Sequence, residues 1–289
     1  MNNAQLKKKL LGTPYFLWSL IFILIPLGMV FYYGLTDRSG AFTLNNIISI
    51  TTAEHAKALW LALLLSLIAT VLCLLLAYPL AMILCNMGVN QHSFIVLIFI
   101  LPMWMNFLLR TYSWMTILEN NGLLNQLLQK LGIIALYNHL TGSNLEYFTM
   151  IDTQGAVVLG MVYNYLPFMI LPIYSVICKL DYSLLEAARD LGANTVTVFR
   201  KVILPLSLPG VLSGITMVFV PSVSTFAISR MLGGGTELLL GDLIERQFLG
   251  GAYNPQLGAA ISLVMMLIVV VCMLVMNRFG EGEEQAVML

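Results

Sequence analysis

Charge is what this sequence has least of. Only 10% of its 289 residues are Asp, Glu, Lys or Arg, against about 25% in an average soluble domain. The 14 basic and 14 acidic residues cancel, which argues against a nucleic-acid partner, since such partners are held by a basic surplus. His55, His92 and His139 are scattered with no H-E-x-x-H or similar cluster, so no metal site is expected. Cys73, Cys85, Cys178 and Cys272 have no metal or redox spacing and read as small hydrophobes in or beside apolar runs. No G-x-x-x-x-G-K-[ST] occurs, so the chain has no P-loop to cradle nucleotide phosphates. If ATP drives it, another chain binds the ATP. No nucleophile–base–acid set is visible, so no enzyme activity and no cofactor is expected. Apolar runs without Asp or Glu also lack a proton or sodium relay. Together with the missing inverted repeat, this counts against an ATP-independent secondary carrier.

Apolar residues fill the space that charge leaves, at 59% of the chain. They fall into runs long enough to cross a bilayer, so the expected fold is an all-α, polytopic membrane protein with six transmembrane helices. Lys7-Lys-Lys9 precedes the first run, Pro14 to Gly34. That run is longer than a signal-peptide core and has no small-residue cleavage site, so it reads as a retained span. The second span is Ala58 to Cys85, interrupted by Pro79, and the third is Ser93 to Ile117. The third carries Asn106, Arg110 and Thr111, groups too expensive to face lipid. It is expected to face protein or a water-filled path, with Arg110 near the outer surface. An external stretch from Glu119 to Thr153 has a leucine stripe over 122–131 suited to lying on a membrane or a partner. Gln154 to Cys178, Pro209 to Ser229 and Leu257 to Met276 complete the six. The fifth opens with Gly210-x-x-x-Gly214, a spacing that lets helices approach closely. Basic residues in the N-terminal segment and in the loop after Cys178 place both termini in the cytoplasm. The organisation expected is a cytoplasmic segment at 1–13, one permease-like domain at 14–285 and a short tail at 286–289.

A polar island lies between spans four and five, from Asp181 to Pro205. Ser183 and Glu186 have the spacing of a capping box, and Leu184, Leu185, Ala188 and Leu191 fall on one helical face. Ala187 and Ala188 keep that face shallow, open to close approach by another protein. Gly192 suits a left-handed helix end, Asn194 or Thr195 can cap a second helix, and Pro205 stops or kinks that second helix. The island reads as a short helix-turn-helix shaped for docking. An ordinary capped amphipathic loop is the other reading.

Glu186-Ala-Ala, Asp190, Gly192 and Ile203-Leu-Pro205 resemble the EAA loop of ABC importer permeases, of the type I fold. The resemblance implies that Glu186, Ala187, Ala188, Asp190, Gly192 and Pro205 couple the chain to an ATPase. It further implies two ATPase copies, a second homologous permease subunit, an extracytoplasmic substrate-binding protein and surrounding membrane lipid. Leu101-Pro-Met-Trp-Met-Asn106, Arg110-Thr-Tyr-Ser-Trp114 and Glu119-Asn-Asn-Gly122 resemble the spermidine/putrescine importer permeases. So do Leu239-Leu-Gly-Asp-Leu-Ile244 and Gly258-Ala-Ala260. That resemblance implies polyamine import across the cell membrane. A permease for ferric iron, sulfate or an amino acid is the other reading within the class. Arg230 departs from the pattern, standing where related permeases often carry an acid, and suits a cation path less well unless Glu237 or Asp242 pairs with it. Candidate substrate-path residues are Trp104, Asn106, Tyr112, Trp114, Glu119, Tyr163, Tyr165, Phe226 and Asp242. Aromatic faces attract ammonium groups, and the acids supply charge near the outer mouth. For each aromatic the competing role is an interfacial belt or core packing.

Overall fold

A computed structural model describes residues 13–86, 101–235, 238–251 and 253–287. The described residues are helical throughout, apart from loops and an isolated bridge between Thr36 and Phe42. The long helices are α1 (Thr13–Gly34) and α2 (Ala53–Asn86), followed after residues 87–100 by α3 (Phe107–Leu118). Two short helices come next, α4 (Leu123–Lys130) and α5 (Ile133–Thr141), then α6 (Gln154–Ile177). The polar island folds as α7 (Tyr182–Asp190) and the start of α8 (Thr195–Val223). The chain closes with α9 (Ala227–Leu232), α10 (Leu240–Leu249) and α11 (Pro255–Val287). Five of these are long and apolar enough to cross a membrane: α1, α2, α6, α8 and α11. The first part of the expected third span, from Ser93, lies outside the described residues, and α3 is its second part.

Prolines behave differently from expectation. Pro79 does not interrupt the second span, because α2 runs unbroken through it. A proline removes one backbone bond, and a long apolar helix keeps all its other bonds where no water competes for them. Pro205 does not stop its helix either. A wider π turn, Phe199–Ile203, precedes it by two residues, giving room where the ring would crowd the preceding turn. The same π turn, Leu20–Leu24, precedes Pro26 by the same interval in α1. The fifth span therefore begins at Thr195 rather than Pro209 and ends at Val223.

The chain divides into two compact units. In the first, residues 1–57 and 243–268, Gly34 lies so close to α11 that a Cβ there would meet Leu263 and the Ala260 backbone. The second unit, residues 58–242 and 269–289, has a core built from α2, α6 and α8. One face of α2 is a ladder of small buried residues, Ala62, Ser66, Ala69, Cys73, Ala77 and Ala81, which lets neighbouring backbones approach. Gly210 and Gly214 do the same for α8 against α6. A Cβ at Gly210 would stand 2.9 Å from the Pro172 carbonyl oxygen, and one at Gly214 2.7 Å from the Met169 sulfur.

Contacts in the second unit also give helix direction. Cys73 meets Val162 and Cys85 meets Cys178, so α2 and α6 run parallel. Gly210 lies at Pro172 and Tyr165 reaches Pro221, so α8 runs antiparallel to α6. The Cys85–Cys178 contact corrects the reading of these two as separate small hydrophobes. Their Cα atoms are 5.5 Å apart, a juxtaposition across 93 residues of sequence that no local spacing reveals.

Candidate functional site

Two places in the second unit carry the polar chemistry. The first is α7 with its flanks. Its N-cap is Asp181, whose carboxylate accepts from the Ser183 N–H at 3.0 Å, so the Ser183–Glu186 capping box does not form. A cap residue must precede the first helical residue, and the helix begins one residue before Ser183, at Tyr182. Hydrogen bonds from Ser183 hold the Asp181 carboxyl below its ordinary value of 3.8. At the other end Gly192 adopts the left-handed conformation, φ +83°, and Gly192 N–H donates to Arg189 O while Ala193 N–H donates to Ala188 O. Only glycine adopts that backbone routinely. Asn194 then caps α8 by accepting from Thr197 N–H at 2.8 Å.

The result is a helix standing off the bundle. None of its residues is buried. Leu185 and Ala188 are half-buried, whereas Glu186, Ala187 and Asp190 are exposed, and so are Tyr182, Leu184 and Leu191. Leu191 is 90% exposed. Past the turn, buried Val198 and the edge-to-face stack of Phe199 on Tyr78, centroids 5.6 Å apart, fix the start of α8 to the bundle. Tyr78 is held in turn by a 2.6 Å hydrogen bond with Ser207. Pro205 sits between these two anchors on α8.

The second place is a polar seam where α3, α6 and α9 meet. Asn164, 1% exposed, donates from its amide to Gly160 O at 2.9 Å and to Thr111 Oγ1 at 3.5 Å. Thr111 is fully buried and donates to Phe107 O. Arg110 is 7% exposed, and among the described residues its Nε and Nη1 have no hydrogen-bond partner, nor has Asn164 Oδ1. Trp114 and Tyr163 stack edge-to-face beside the seam, centroids 5.3 Å apart. Tyr165 donates to Pro221 O at 3.4 Å and also meets Thr225. The α8–α9 break places buried Ser222, Thr225 and Ser229 nearby in sequence.

Of the expected path residues, the structure brings Trp114 and Tyr163 together and sets Tyr165 against the end of α8. Asn106 caps α3, accepting from Leu108 and Leu109 N–H at 2.8 and 3.3 Å, so its amide nitrogen alone stays available. Trp104 is 74% exposed, and Tyr112, Glu119 and Phe226 are exposed as well. Asp242 is buried and accepts from Leu239 N–H at 2.9 Å at the start of α10. Arg230 is exposed in the last turn of α9, and Glu237 lies outside the described residues. Arg110 is buried within the chain, next to Thr111 on α3. The residue that sequence reasoning missed is Asn164, whose signal was an amide inside a span. No group of metal-ligating residues occurs among the described residues.

The chain matches the family described as binding-protein-dependent transport system inner membrane component over residues 9–282. The spermidine/putrescine transport system permease protein PotB of Haemophilus influenzae is 36% identical over 272 residues, covering 92% of this chain and 91% of that protein. The protein of the same name from Escherichia coli K12 is 35% identical over 267 residues, covering 90% and 93%. Among solved structures, a chain of a bacterial ABC transporter importing the acidic polysaccharide alginate superposes with TM-score 0.78 at 16% identity, covering 96% of both chains. A chain of the MetNI methionine ABC transporter gives 0.54 at 18% identity, covering 78% of this chain and 94% of that one.

Proposed function

Because the chain belongs to the binding-protein-dependent transport system inner membrane components, we propose that this multi-pass inner-membrane protein is the permease subunit of an ATP-driven importer of spermidine and putrescine. The observation that carries the importer reading is α7, a capped helix with no buried residue and a row of exposed apolar side chains. Exposed apolar surface of that kind needs a protein to cover it. An ATPase subunit is that protein, present in two copies and hydrolysing the ATP for which this chain has no P-loop. A second, homologous permease subunit completes the path, and an extracytoplasmic binding protein delivers the cargo. Polyamine as cargo rests on the two PotB relatives.

The chemistry of the seam suits a cargo that must be released. Carboxylates in low dielectric would trap a dication, whereas several weak contacts let it pass. Each cation–π contact is worth about 0.5–1 kcal/mol when exposed and about 2 kcal/mol or more when desolvated. Trp114, Tyr163 and Tyr165 would supply such faces. One observation favours a second reading, a permease for an anion such as sulfate: a guanidinium, Arg110, is buried on α3 next to the seam residue Thr111 in sequence. Uptake of radiolabelled spermidine, sulfate and a neutral amino acid by the reconstituted importer decides between them. Energy-dependent accumulation of spermidine alone is the expected result. Accumulation of sulfate with spermidine ignored would overturn the polyamine assignment.

A further inference from the structure

The juxtaposed Cys85 and Cys178 take no part in the function above. Cys85 is half-buried in the last turn of α2, and Cys178 is the exposed C-cap of α6. Their Cα separation of 5.5 Å lies within the roughly 4.4–6.8 Å that an S–S bond spans without moving backbone. Cys178 stands three residues before Asp181, the cap of α7. Since no residue of α7 is fully buried, its two attachments do most to set its position. One is the turn from Cys178 to Asp181, held by Lys179 N–H to Val176 O and Leu180 N–H to Ile177 O. The other is Val198 and Phe199 against the bundle. A covalent link at Cys178 ties the first attachment to α2.

We infer that Cys85 and Cys178 form a reversible redox switch which, when oxidised, pins the coupling helix to α2 and arrests transport. The inference rests on the importer reading, which puts α7 on the ATPase side of the membrane. Glutathione keeps thiols reduced on that side, where disulfides are typically transient and redox-sensing. Both sulfurs are then thiols in the working importer, and hydrogen peroxide is the oxidant. The exposed Cys178 thiolate attacks one peroxide oxygen, the O–O bond breaks, and water leaves behind a sulfenic acid. The Cys85 thiolate attacks that sulfur, the S–S bond forms, the S–O bond breaks, and a second water leaves. The two thiols lose two electrons and peroxide gains them. Two molecules of glutathione reverse the bond by exchange and end as glutathione disulfide.

The test uses the complete importer in proteoliposomes, in reduced form, after peroxide, and after peroxide followed by dithiothreitol. Cross-linking is read by alkylation shift, transport by spermidine uptake, and coupling by ATP hydrolysis stimulated by the binding protein. Oxidised wild type should show the cross-link and lose uptake and stimulated hydrolysis severalfold, with dithiothreitol restoring both. Cys85→Ser and Cys178→Ser should insert at wild-type levels, work normally and ignore peroxide. A complete cross-link with unchanged turnover, or no cross-link under peroxide, overturns the switch. Loss of activity in serine variants that insert normally overturns it too. If reduced wild type hydrolyses ATP but carries no spermidine, the polyamine reading fails while stimulated hydrolysis still tests the switch.

Discussion

Arg110 is a buried charge whose Nε and Nη1 find no hydrogen-bond partner among the described residues. A buried charge left without its partner costs about 3–5 kcal/mol, and an apolar replacement of similar volume is often neutral or stabilising. Arg110→Met should therefore raise the thermal midpoint of the detergent-solubilised subunit. In an apolar span such a costly group is functional by default, so the same variant should lose uptake severalfold. A midpoint that falls, or uptake that is untouched, removes Arg110 from the seam's working parts. Tyr163→Leu keeps bulk against Trp114 but removes the ring face and the hydroxyl. Spermidine uptake should fall severalfold at normal membrane levels, with binding-protein-stimulated ATP hydrolysis preserved. How much of the seam was legible differs residue by residue. The aromatics Trp114 and Tyr163 were visible as candidates because ring chemistry is local to a residue type. That Asn106 is absorbed by a helix cap was not legible, since it depends on where α3 begins. The break before Asn106 becomes visible only once the backbone is placed.

Helix ends, more than helix interiors, decide what the elements do. Asp181 caps α7 with its carboxyl held below 3.8, so the ionised form is favoured when the helix is formed. The cap is therefore fully present above the ordinary value and is lost as pH falls through the lowered one. Hydrogen exchange of the α7 amides, corrected for intrinsic rate, should be flat between about pH 5 and 8 and quicken only below about pH 4. Asp181→Asn, which caps without titrating, should lack that acid step. At the other end of α7, Gly192 at φ +83° admits no β-branched residue without strain. Gly192→Val should uncouple hydrolysis from transport while the protein still inserts, and Ala187→Trp should block docking by bulk. If both variants transport normally with normal stimulation of hydrolysis, α7 is not the coupling element. Within the bundle, Gly210→Val drives a Cβ toward a backbone carbonyl 2.9 Å away, and overpacking of that kind costs about 1–3 kcal/mol. A lower thermal midpoint in detergent checks it. The turn at Gly192 and the close approach at Gly210 were both readable from sequence, because each is enforced by the smallest side chain. The π turns before Pro26 and Pro205 were not, since a proline alone does not say whether a helix stops or widens.

Across the whole molecule the direction of the helices does what hydropathy alone could not. Parallel α2 and α6 cross the bilayer in the same sense, so the chain must return between them by an odd number of crossings. The apolar run from Ser93 to Ile117 is the one stretch between them that can make that crossing, although its first part lies outside the described residues. Antiparallel α8 then comes after α6 with α7 in the connection, so α7 and the end of α2 share one side. The opposite side receives the start of α6 and with it α4, α5 and the loop that Asn125 holds together by bonding both the N–H and the carbonyl of Phe148. The expected orientation rests on charge: the connection around α7 carries Lys179, Arg189, Arg200 and Lys201, and basic residues are retained inside. Single cysteines placed in a background lacking the four native ones should separate the two sides. With an impermeant thiol reagent added outside, position 144 should label, whereas positions 183 and 283 should label only after the membrane is opened. Labelling of position 183 in intact cells would reverse the orientation, and with it the side on which the proposed ATPase would reach α7.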